Sequence, residues 1–328
     1  MIKKNRTFII AEAGNNHEGS LINAKKLITQ AAKAKVDAVK FQTYITDDYI
    51  NNNDKKRFKR LKQFQLSQNQ FIKLAKHAHK KNLKFISTPF DIKSAEFLNK
   101  IVDAFKISSG DNNYFELIKK VLSFKKYTII STGFLNYDEI LKLVRFIKKI
   151  KFPLSKLTLL HCVSAYPVNI NEANLRSIIF LKKKLNISIG YSDHTIGSLG
   201  ALTAACLGAD IIEKHFTLDH NFSNFRDHKL SAEPQELKIL VSSIRKIEIL
   251  SGKYHKKISK SEKINQKSTR RSIYAKSNID KNEIIKHSHL KVVRPESGIK
   301  PNKIKNIIGK KTNRKLLKHM SIKESFLR

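Results

Sequence analysis

The first 255 residues alternate between two hydrophobic patterns. Short apolar and β-branched runs are separated by longer segments whose apolar residues recur every three or four positions, as in 20–35, 136–150 and 234–250. The first pattern is typical of strands and the second of amphipathic helices. Strands are predicted at 7–13, 38–43, 84–90, 104–109, 127–132, 157–162, 187–192 and 211–216.

A strict order of strand and helix predicts a parallel sheet, because parallel neighbours are joined by crossovers. Eight such units over roughly 245 residues fit a closed (β/α)8 barrel, also called a TIM barrel. The main alternative is an open, doubly wound sheet, which usually has a glycine-rich phosphate loop after its first strand. The segment "EAGNNHEG" lacks the GxGxxG spacing of that loop, so we expect an α/β protein with a closed barrel.

The texture of the chain changes after residue 255. Residues 256–268 are polar and read as a linker, and residues 269–328 contain short apolar runs separated by Gly, Pro and Asn. We therefore predict a barrel domain at 1–255, a linker at 256–268 and a small, mostly β domain at 269–328.

The formal charge of +38, from 65 Lys and Arg against 27 Asp and Glu, raises the possibility of a nucleic-acid partner. The lysines are spread over nearly every segment instead of forming one arm or stripe. A solvated surface is therefore the preferred interpretation, and a basic nucleic-acid-binding protein on a barrel scaffold remains the alternative from another class.

Cellular location is predicted from cysteines and apolar runs. Two cysteines, Cys162 and Cys206, are too few for a disulfide framework and lack metal-site spacing. The apolar run before Glu12 is too short for a signal peptide, and no apolar run reaches membrane-span length. We expect a cytoplasmic protein without membrane association.

Two neighbouring predicted strands end in histidines, in "IGYSDHT" and "IIEKHFT". Side chains alternate along a strand, so Glu213 and His215 share one face, and His194 follows the adjacent strand. Two imidazoles at the mouth of a barrel can hold one divalent metal, with Mn²⁺ or Mg²⁺ favoured over a structural zinc. The alternative is one buried structural histidine and one loop histidine.

Polar residues also interrupt the ends of other predicted strands. Lys40 and Lys106 lie within runs that should be continuously apolar, and a desolvated lysine needs an anionic partner. Hydroxyls occupy the corresponding ends at Thr88, Ser109, Ser131 and Ser192. Together they predict a pocket for phosphate or carboxylate, although Ser109 and Ser131 could instead cap helices. The acids Glu12 and Asp227 could receive sugar hydroxyls or a proton, or be ordinary caps.

These motifs, in this order, resemble the sialic acid synthase family, the phosphoenolpyruvate-dependent synthases of N-acetylneuraminic acid and related nonulosonic acids. The resemblance covers nearly the whole chain and rests on eight segments: "IAEAGNNHEGS", "DAVKFQT", "FISTPFD", "FKISSGDNNY", "IISTGF", "LLHCVSAYP", "GYSDHT" and "EKHFTLD". The tail, "VVRPESGI" followed by "IIGKK", is similar to the family's antifreeze-like (SAF) domain, a small β-clip fold.

The resemblance implies roles for residues at matching positions. His194 and His215 would be the metal ligands. The phosphate and carboxylate of phosphoenolpyruvate would be held by Lys40, Thr88, Lys106, Ser109, Ser131 and Ser192, with Ser164 as an addition. The acceptor sugar would contact Glu12, Gln42, Tyr166 and Asp227. Arg294 would come from the other subunit of a domain-swapped homodimer.

The chain departs from the family pattern just before Asp227. Many members have Gly-Pro there, whereas this chain has Phe225 and Arg226. The departure bears on the acceptor more than on the reaction. N-acetylmannosamine is the expected acceptor, and a 2,4-diacetamido sugar leading to legionaminic or pseudaminic acid is the alternative.

A metal-dependent aldolase or hydrolase on the same barrel would explain the histidines but not the lysines.

Overall fold

A computed structural model describes residues 6–328 of the chain. Within them, eight parallel strands pair in chain order, and the first pairs with the eighth to close a barrel. The strands are β1 (Phe8–Gly14), β2 (Ala38–Thr43), β3 (Lys84–Pro89), β4 (Ala104–Ile107), β5 (Tyr127–Ser131), β6 (Leu157–His161), β7 (Ser188–Asp193) and β8 (Ile211–His215). The predicted (β/α)8 barrel is confirmed.

Helices follow every strand of the barrel. They are α1 (Leu21–Lys33), α2 (Thr46–Tyr49), α3 (Lys55–Phe64), α4 (Gln68–Lys80), α5 (Ile92–Leu98), α6 (Phe115–Ser123), α7 (Tyr137–Lys149), α8 (Arg176–Lys184), α9 (Leu199–Cys206), α10 (Asp227–Leu230) and α11 (Pro234–Ser251). Local capping fixes several of their starts. Asn136, for example, accepts from the backbone of Glu139, whose carboxylate accepts from the backbone of Asn136.

The barrel interior has an apolar layer below a polar one. Apolar interior side chains form one buried cluster: Phe8, Ile10, Ala38, Ile86, Ala104, Ile129, Leu160 and Ile211. Two residues further along most of these strands the interior side chain is polar or a thiol: Glu12, Lys40, Thr88, Lys106, Ser131, Cys162 and Glu213. Because side chains alternate along a strand, the opposite face packs against the helices. The alternation of side chains along the strands thus places these polar residues at the mouth of the barrel, where the carboxyl ends of the strands meet.

Gly190 is required by close packing inside the barrel. A Cβ atom there would lie 2.6 Å from the carbonyl oxygen of Ile211 and 2.6 Å from Leu160 Cδ2. The interior position two residues later on β7 is Ser192, at the level of the polar layer.

The chain divides into two compact units, with the boundary after Gly252. The second, Lys253–Arg328, contains α12 (Lys260–Thr269) and an antiparallel pair, β9 (Ser272–Ala275) and β10 (Leu290–Val293). Its own apolar core consists of Ile273, Ala275, Ile279, Ile285, Leu290, Ile299, Ile307, Leu316 and Ile322. Segment 256–268 carries most of α12, and the three predicted domain ranges stay a prediction.

Among the described residues, no helix is long and apolar enough to cross a membrane. Both cysteines are free: Cys162 is buried and Cys206 is exposed.

Candidate active site

A cavity of about 410 Å³ opens at the carboxyl ends of the barrel strands. It is lined by every predicted site residue of the first unit: Glu12, Lys40, Gln42, Thr88, Lys106, Ser109, Ser131, Ser164, Tyr166, Ser192, His194, His215 and Asp227. Arg294 belongs to the second unit, where it follows β10 directly.

The rings of His194 and His215 lie side by side, with centroids 5.4 Å apart. His194 Nδ1 donates to the carbonyl oxygen of Val163 at 2.7 Å, which leaves the lone pair on Nε2. Burial lowers the pKa of His194 to about 4 and the pKa of His215 well below its usual value. Both imidazoles are therefore neutral near pH 7, the form that binds metal ions.

The surroundings of the two imidazoles fit a divalent cation. His215 Nδ1 is buried without a hydrogen-bond partner, so its ring has unused capacity. Over residues 6–328, no group of three or more His, Cys, Asp or Glu side chains is arranged to hold a metal. A cation bound here would draw its remaining ligands from water and substrate, as an open catalytic site does.

Two buried lysines and two carboxylates form the floor of the cavity. Lys40 Nζ lies 2.8 Å from Glu12 Oε2, and Glu213 Oε1 lies 3.6 Å from the Nζ atoms of both Lys40 and Lys106. All four side chains are at most 4% exposed. The two lysines thus have anionic partners, which buried ammonium groups require.

Burial and charge shift the pKa values in this cluster in different directions. Burial lowers the pKa of Lys106, whereas carboxylates hold the pKa of Lys40 above its usual value despite burial. Burial would raise the pKa of Glu213, but the two lysines keep it low. The pKa of Glu12 is raised by burial and by the charge of Glu213, against the opposing effect of Lys40. Glu12 is consequently the carboxylate more easily protonated.

Glu213 is a site residue that the sequence interpretation did not assign. Its Oε1 accepts a hydrogen bond from Ser192 at 2.9 Å. Its place in the site could have been predicted from the alternation of side chains along β8, which puts Glu213 on the same face as His215.

Hydroxyl groups surround a small space beside Lys106. Lys106 Nζ donates to Ser131 Oγ at 2.6 Å, and Ser164 Oγ is buried without a partner. A Cβ on Gly133 would fill this space, at 2.3 Å from Ser164 Oγ and 2.6 Å from Ser109 Oγ. Neither Ser109 nor Ser131 occupies the N-cap of the following helix, since Tyr114 and Asn136 hold the caps of α6 and α7.

The opposite end of the cavity carries the side chains predicted to meet a sugar. Gln42 Nε2 donates to Glu12 Oε1 at 3.2 Å, and Asn15 Nδ2 donates to Gln42 Oε1 at 2.9 Å. The ring of Tyr166 packs on His194, with centroids 4.3 Å apart. Burial raises the pKa of Asp227, whose side chain is 11% exposed. This end therefore presents amide, phenol and carboxyl groups.

Phe225 and Arg226 line this same end. The guanidinium of Arg226 lies 5.0 Å from the Tyr166 ring centroid, and its Nε lies 3.4 Å from Asp227 Oδ1. Phe225 lies under the guanidinium of Arg60, at 5.6 Å. Arg60 also lines the cavity, as does Arg57. These arginines lie on α3, away from any strand end, so the strand pattern gave no signal for them.

Buried hydrogen bonds hold the loop that carries Asp227. His228 is fully buried, with Nδ1 2.6 Å from Thr217 Oγ1 and Nε2 3.2 Å from Glu18 Oε1. Asn16 Nδ2 donates to the carbonyl oxygen of Phe216 and to Ser231 Oγ. The loop after β1 and the loop after β8 are thereby joined.

The closed barrel with this polar mouth defines an α/β protein of the (β/α)8 class with one candidate active site at the strand ends. Residues 27–256 match the NeuB family, and residues 270–328 match the SAF domain. The chain belongs to the NeuB family, and the predicted resemblance is confirmed.

Similar proteins cover almost the whole chain. An N,N'-diacetyllegionaminic acid synthase of Campylobacter jejuni is 40% identical over 93% of this chain and 95% of its own. A pseudaminic acid synthase of the same species is 35% identical over 98% of this chain and 97% of its own. The crystal structure of an N-acetylneuraminic acid synthetase from Leptospira borgpetersenii, in complex with citrate, superimposes with a TM-score of 0.76. It is 38% identical and covers 80% of this chain and 92% of its own.

Proposed function

We propose that the chain is a nonulosonic acid synthase that condenses phosphoenolpyruvate with an N-acetylated amino sugar. The products are a nine-carbon 2-keto acid and phosphate. One observation carries the proposal: a pair of neutral imidazoles, two buried lysines and a sugar-type set of polar groups open onto the same cavity. An aldolase or hydrolase that does not use phosphoenolpyruvate leaves the second lysine and its hydroxyls unexplained.

The anionic substrate is proposed to lie beside the two lysines. Lys40 and Lys106 hold its phosphate and carboxylate, with hydroxyl donors from Thr88, Ser109, Ser131, Ser164 and Ser192. These groups are fixed and partly desolvated before substrate arrives, so they stabilise negative charge without reorganising. Ser164 Oγ, buried and without a partner, has a donor available for such an oxygen.

His194 and His215 would hold a divalent cation, Mn²⁺ or Mg²⁺. Such a cation, when bound, supplies Lewis acidity toward a carbonyl oxygen. In the reaction, C3 of phosphoenolpyruvate forms a bond to the sugar's aldehyde carbon, water adds at C2, and phosphate leaves by C–O cleavage. Gln42, Tyr166 and Asp227 orient the open-chain sugar. Glu12, whose pKa is raised by burial, is the carboxyl group that we assign to proton transfer at the sugar oxygen.

N-acetylmannosamine is the acceptor that we propose first. A 2,4-diacetamido sugar is the second candidate, because the relatives from Campylobacter jejuni are named as legionaminic and pseudaminic acid synthases. We also propose a domain-swapped homodimer in which Arg294 of each chain completes the cavity of the other. The SAF match at 270–328 supports the presence of the domain that would carry this residue.

The test is phosphate release from phosphoenolpyruvate by the purified full chain, with Mn²⁺ and a panel of N-acetylated hexosamines. Each reaction is run with and without EDTA, and the molecular mass of the product is measured by mass spectrometry. Acceptor-dependent, EDTA-sensitive release with a nine-carbon keto acid supports the proposal and identifies the sugar. Folded protein that releases no phosphate with any acceptor contradicts it. Lys93→Gln, which alters an exposed ion pair with Asp48, serves as the control variant.

A further inference from the structure

Lys214 and Asp193 form an ion pair on the outer face of the barrel, between β7 and β8. Lys214 Nζ lies 3.0 Å from Asp193 Oδ2, and the two side chains are 1% and 0% exposed. The two residues are also direct partners in the strand register. Neither side chain belongs to the lining of the active-site cavity.

The ion pair connects the two residues that flank His194 in the chain, Asp193 and Thr195. Asp193 Oδ1 accepts from the backbone nitrogen of Thr195 at 2.9 Å and from its hydroxyl at 2.7 Å. Lys214 Nζ donates to the carbonyl oxygen of Thr195. A Cβ on Gly200 would lie 2.8 Å from Thr195 Oγ1, so the first turn of α9 covers these groups closely.

Each member of the pair directly precedes one of the two histidines in the sequence. Because side chains alternate, His194 and His215 face the cavity while Asp193 and Lys214 meet on the other face. A contact across the outer face therefore fixes the two backbone segments from which the imidazoles project.

Stability alone is a poor account of this pair. Removing two charges from water is costly, and a buried ion pair can often be replaced by apolar residues without loss of stability. Below the pair, the same outer face of β7 and β8 carries Ile189, Tyr191 and Ile212, which pack in the hydrophobic core. An apolar pair at 193 and 214 would continue that pattern but could not bond the Thr195 backbone.

We propose that the Lys214–Asp193 ion pair is a positioning element that sets the separation of His194 and His215 for a divalent cation. The inference rests on the metal site of the proposed function. The pair acts through the backbone and touches neither substrate nor metal.

The experiment measures binding of Mn²⁺ alone to full-length, metal-stripped protein, by electron paramagnetic resonance of the free ion. The variants are Lys214→Met, Thr195→Val, the double variant Asp193→Leu with Lys214→Met, and the conservative Lys214→Arg. The matched control is Thr158→Val, which removes a buried hydroxyl bonded to Tyr127 and Ser188. Melting temperatures are recorded for all of them.

We expect Lys214→Met and the double variant to lose about tenfold or more in Mn²⁺ affinity, the usual effect of removing a group that orients a metal ligand. Lys214→Arg should restore most of that affinity, and Thr158→Val should bind like wild type even at a lower melting temperature. Thr195→Val should show an intermediate loss.

Wild-type Mn²⁺ affinity in any folded Lys214→Met or double variant overturns the positioning role. Equal weakening in Thr158→Val overturns it as well, because the loss would then follow stability alone. If the wild-type protein itself does not bind Mn²⁺, the metal site of the proposed function fails, and the positioning role fails with it. The wild-type measurement thus separates the two failures.

Discussion

Glu213 Oε1 lies 3.6 Å from Lys106 Nζ, and it is the carboxylate that balances the charge of this buried lysine. Burial already lowers the pKa of Lys106. Glu213→Gln removes the opposing negative charge, so the pKa of Lys106 should fall further and its charged form should be lost at lower pH. We expect the alkaline limb of kcat/KM for phosphoenolpyruvate to move to lower pH.

The control for this prediction is Ser192→Ala. It removes the hydrogen bond to Glu213 Oε1 but keeps the carboxylate, so the alkaline limb should stay close to its wild-type position. An alkaline limb that does not move in Glu213→Gln would mean that Lys106 does not need its charge for this step.

Gly133→Ala should specifically weaken binding of phosphoenolpyruvate. The new methyl group would lie 2.3 Å from Ser164 Oγ and 2.6 Å from Ser109 Oγ, inside the space assigned to an anionic group. Overpacking of this kind costs about 1–3 kcal/mol. We expect KM for phosphoenolpyruvate to rise by about tenfold, with little change in KM for the acceptor.

Gly110→Ala is the comparison for the Gly133 variant. A Cβ at Gly110 would meet Ser108 Oγ at 3.6 Å, an ordinary contact. Steady-state kinetics with each substrate varied in turn measure both variants. A rise in acceptor KM instead of phosphoenolpyruvate KM in Gly133→Ala would reverse the assignment of the two ends of the cavity.

The double variant Phe225→Gly with Arg226→Pro should alter acceptor choice without altering phosphoenolpyruvate binding. It removes a guanidinium stacked on Tyr166 and an aromatic ring under Arg60. Changes to pocket contacts shift discrimination by about tenfold or more. The ratio of kcat/KM for N-acetylmannosamine to that for a 2,4-diacetamido sugar measures the effect.

Arg145→Gln, on the exposed side of α7, is the control for charge removal at a distance from the cavity. It should leave the acceptor ratio unchanged. An unchanged ratio in the double variant too would show that the residues before Asp227 do not take part in acceptor choice.

His17 should make folding stability depend on mildly acidic pH. Burial lowers the pKa of His17 from 6.5 to about 4. Between these values the unfolded chain binds a proton that the folded chain does not, so stability is lost as the pH falls from 6.5 toward 4. The loss due to this residue is about 3 kcal/mol, to order of magnitude.

His17→Asn keeps an acceptor for the backbone nitrogen of Gly19 and removes the titrating group. The difference in unfolding free energy between pH 7 and pH 4, from urea titrations, should be smaller in this variant than in wild type. The exposed His255→Asn should show the full wild-type loss. Equal losses in His17→Asn and wild type would argue against a neutral, buried His17.

The spacing of hydrophobic residues along the chain was enough to predict the barrel. The predicted strand 38–43 coincides with β2, and the helix predicted at 136–150 is α7 within a residue at each end. These elements combine a strong period with local turn or cap signals, so tertiary contacts do not override them. The predicted linker is different, because its polar helix α12 has no buried residue and only the capping box of Ser259 and Glu262 marks it.

The candidate site could be predicted where each residue ends a strand. His194, His215, Lys40 and Lys106 follow from alternation and from the rule that barrel strands end at one mouth. The charge-balancing position of Glu213 depends on lysines from β2 and β4, which are distant in sequence. The same is true of the arginines of α3, whose approach to Phe225 depends on how loops fold over the mouth.

Interior side chains recur at every second residue of a strand, so the register of each strand decides which side chains reach the cavity. Deleting one residue from the middle of β8 would turn Lys214 into the barrel and Glu213 out toward the helices, exchanging a counter-ion for a third ammonium group. Insertions and deletions should therefore be tolerated better at exposed loop positions such as 221–222 than in the strands. In laboratory evolution of this scaffold, libraries that vary the length of the loop after β8 can be screened for new acceptor sugars. Such libraries leave unchanged which side chains the strands direct into the cavity.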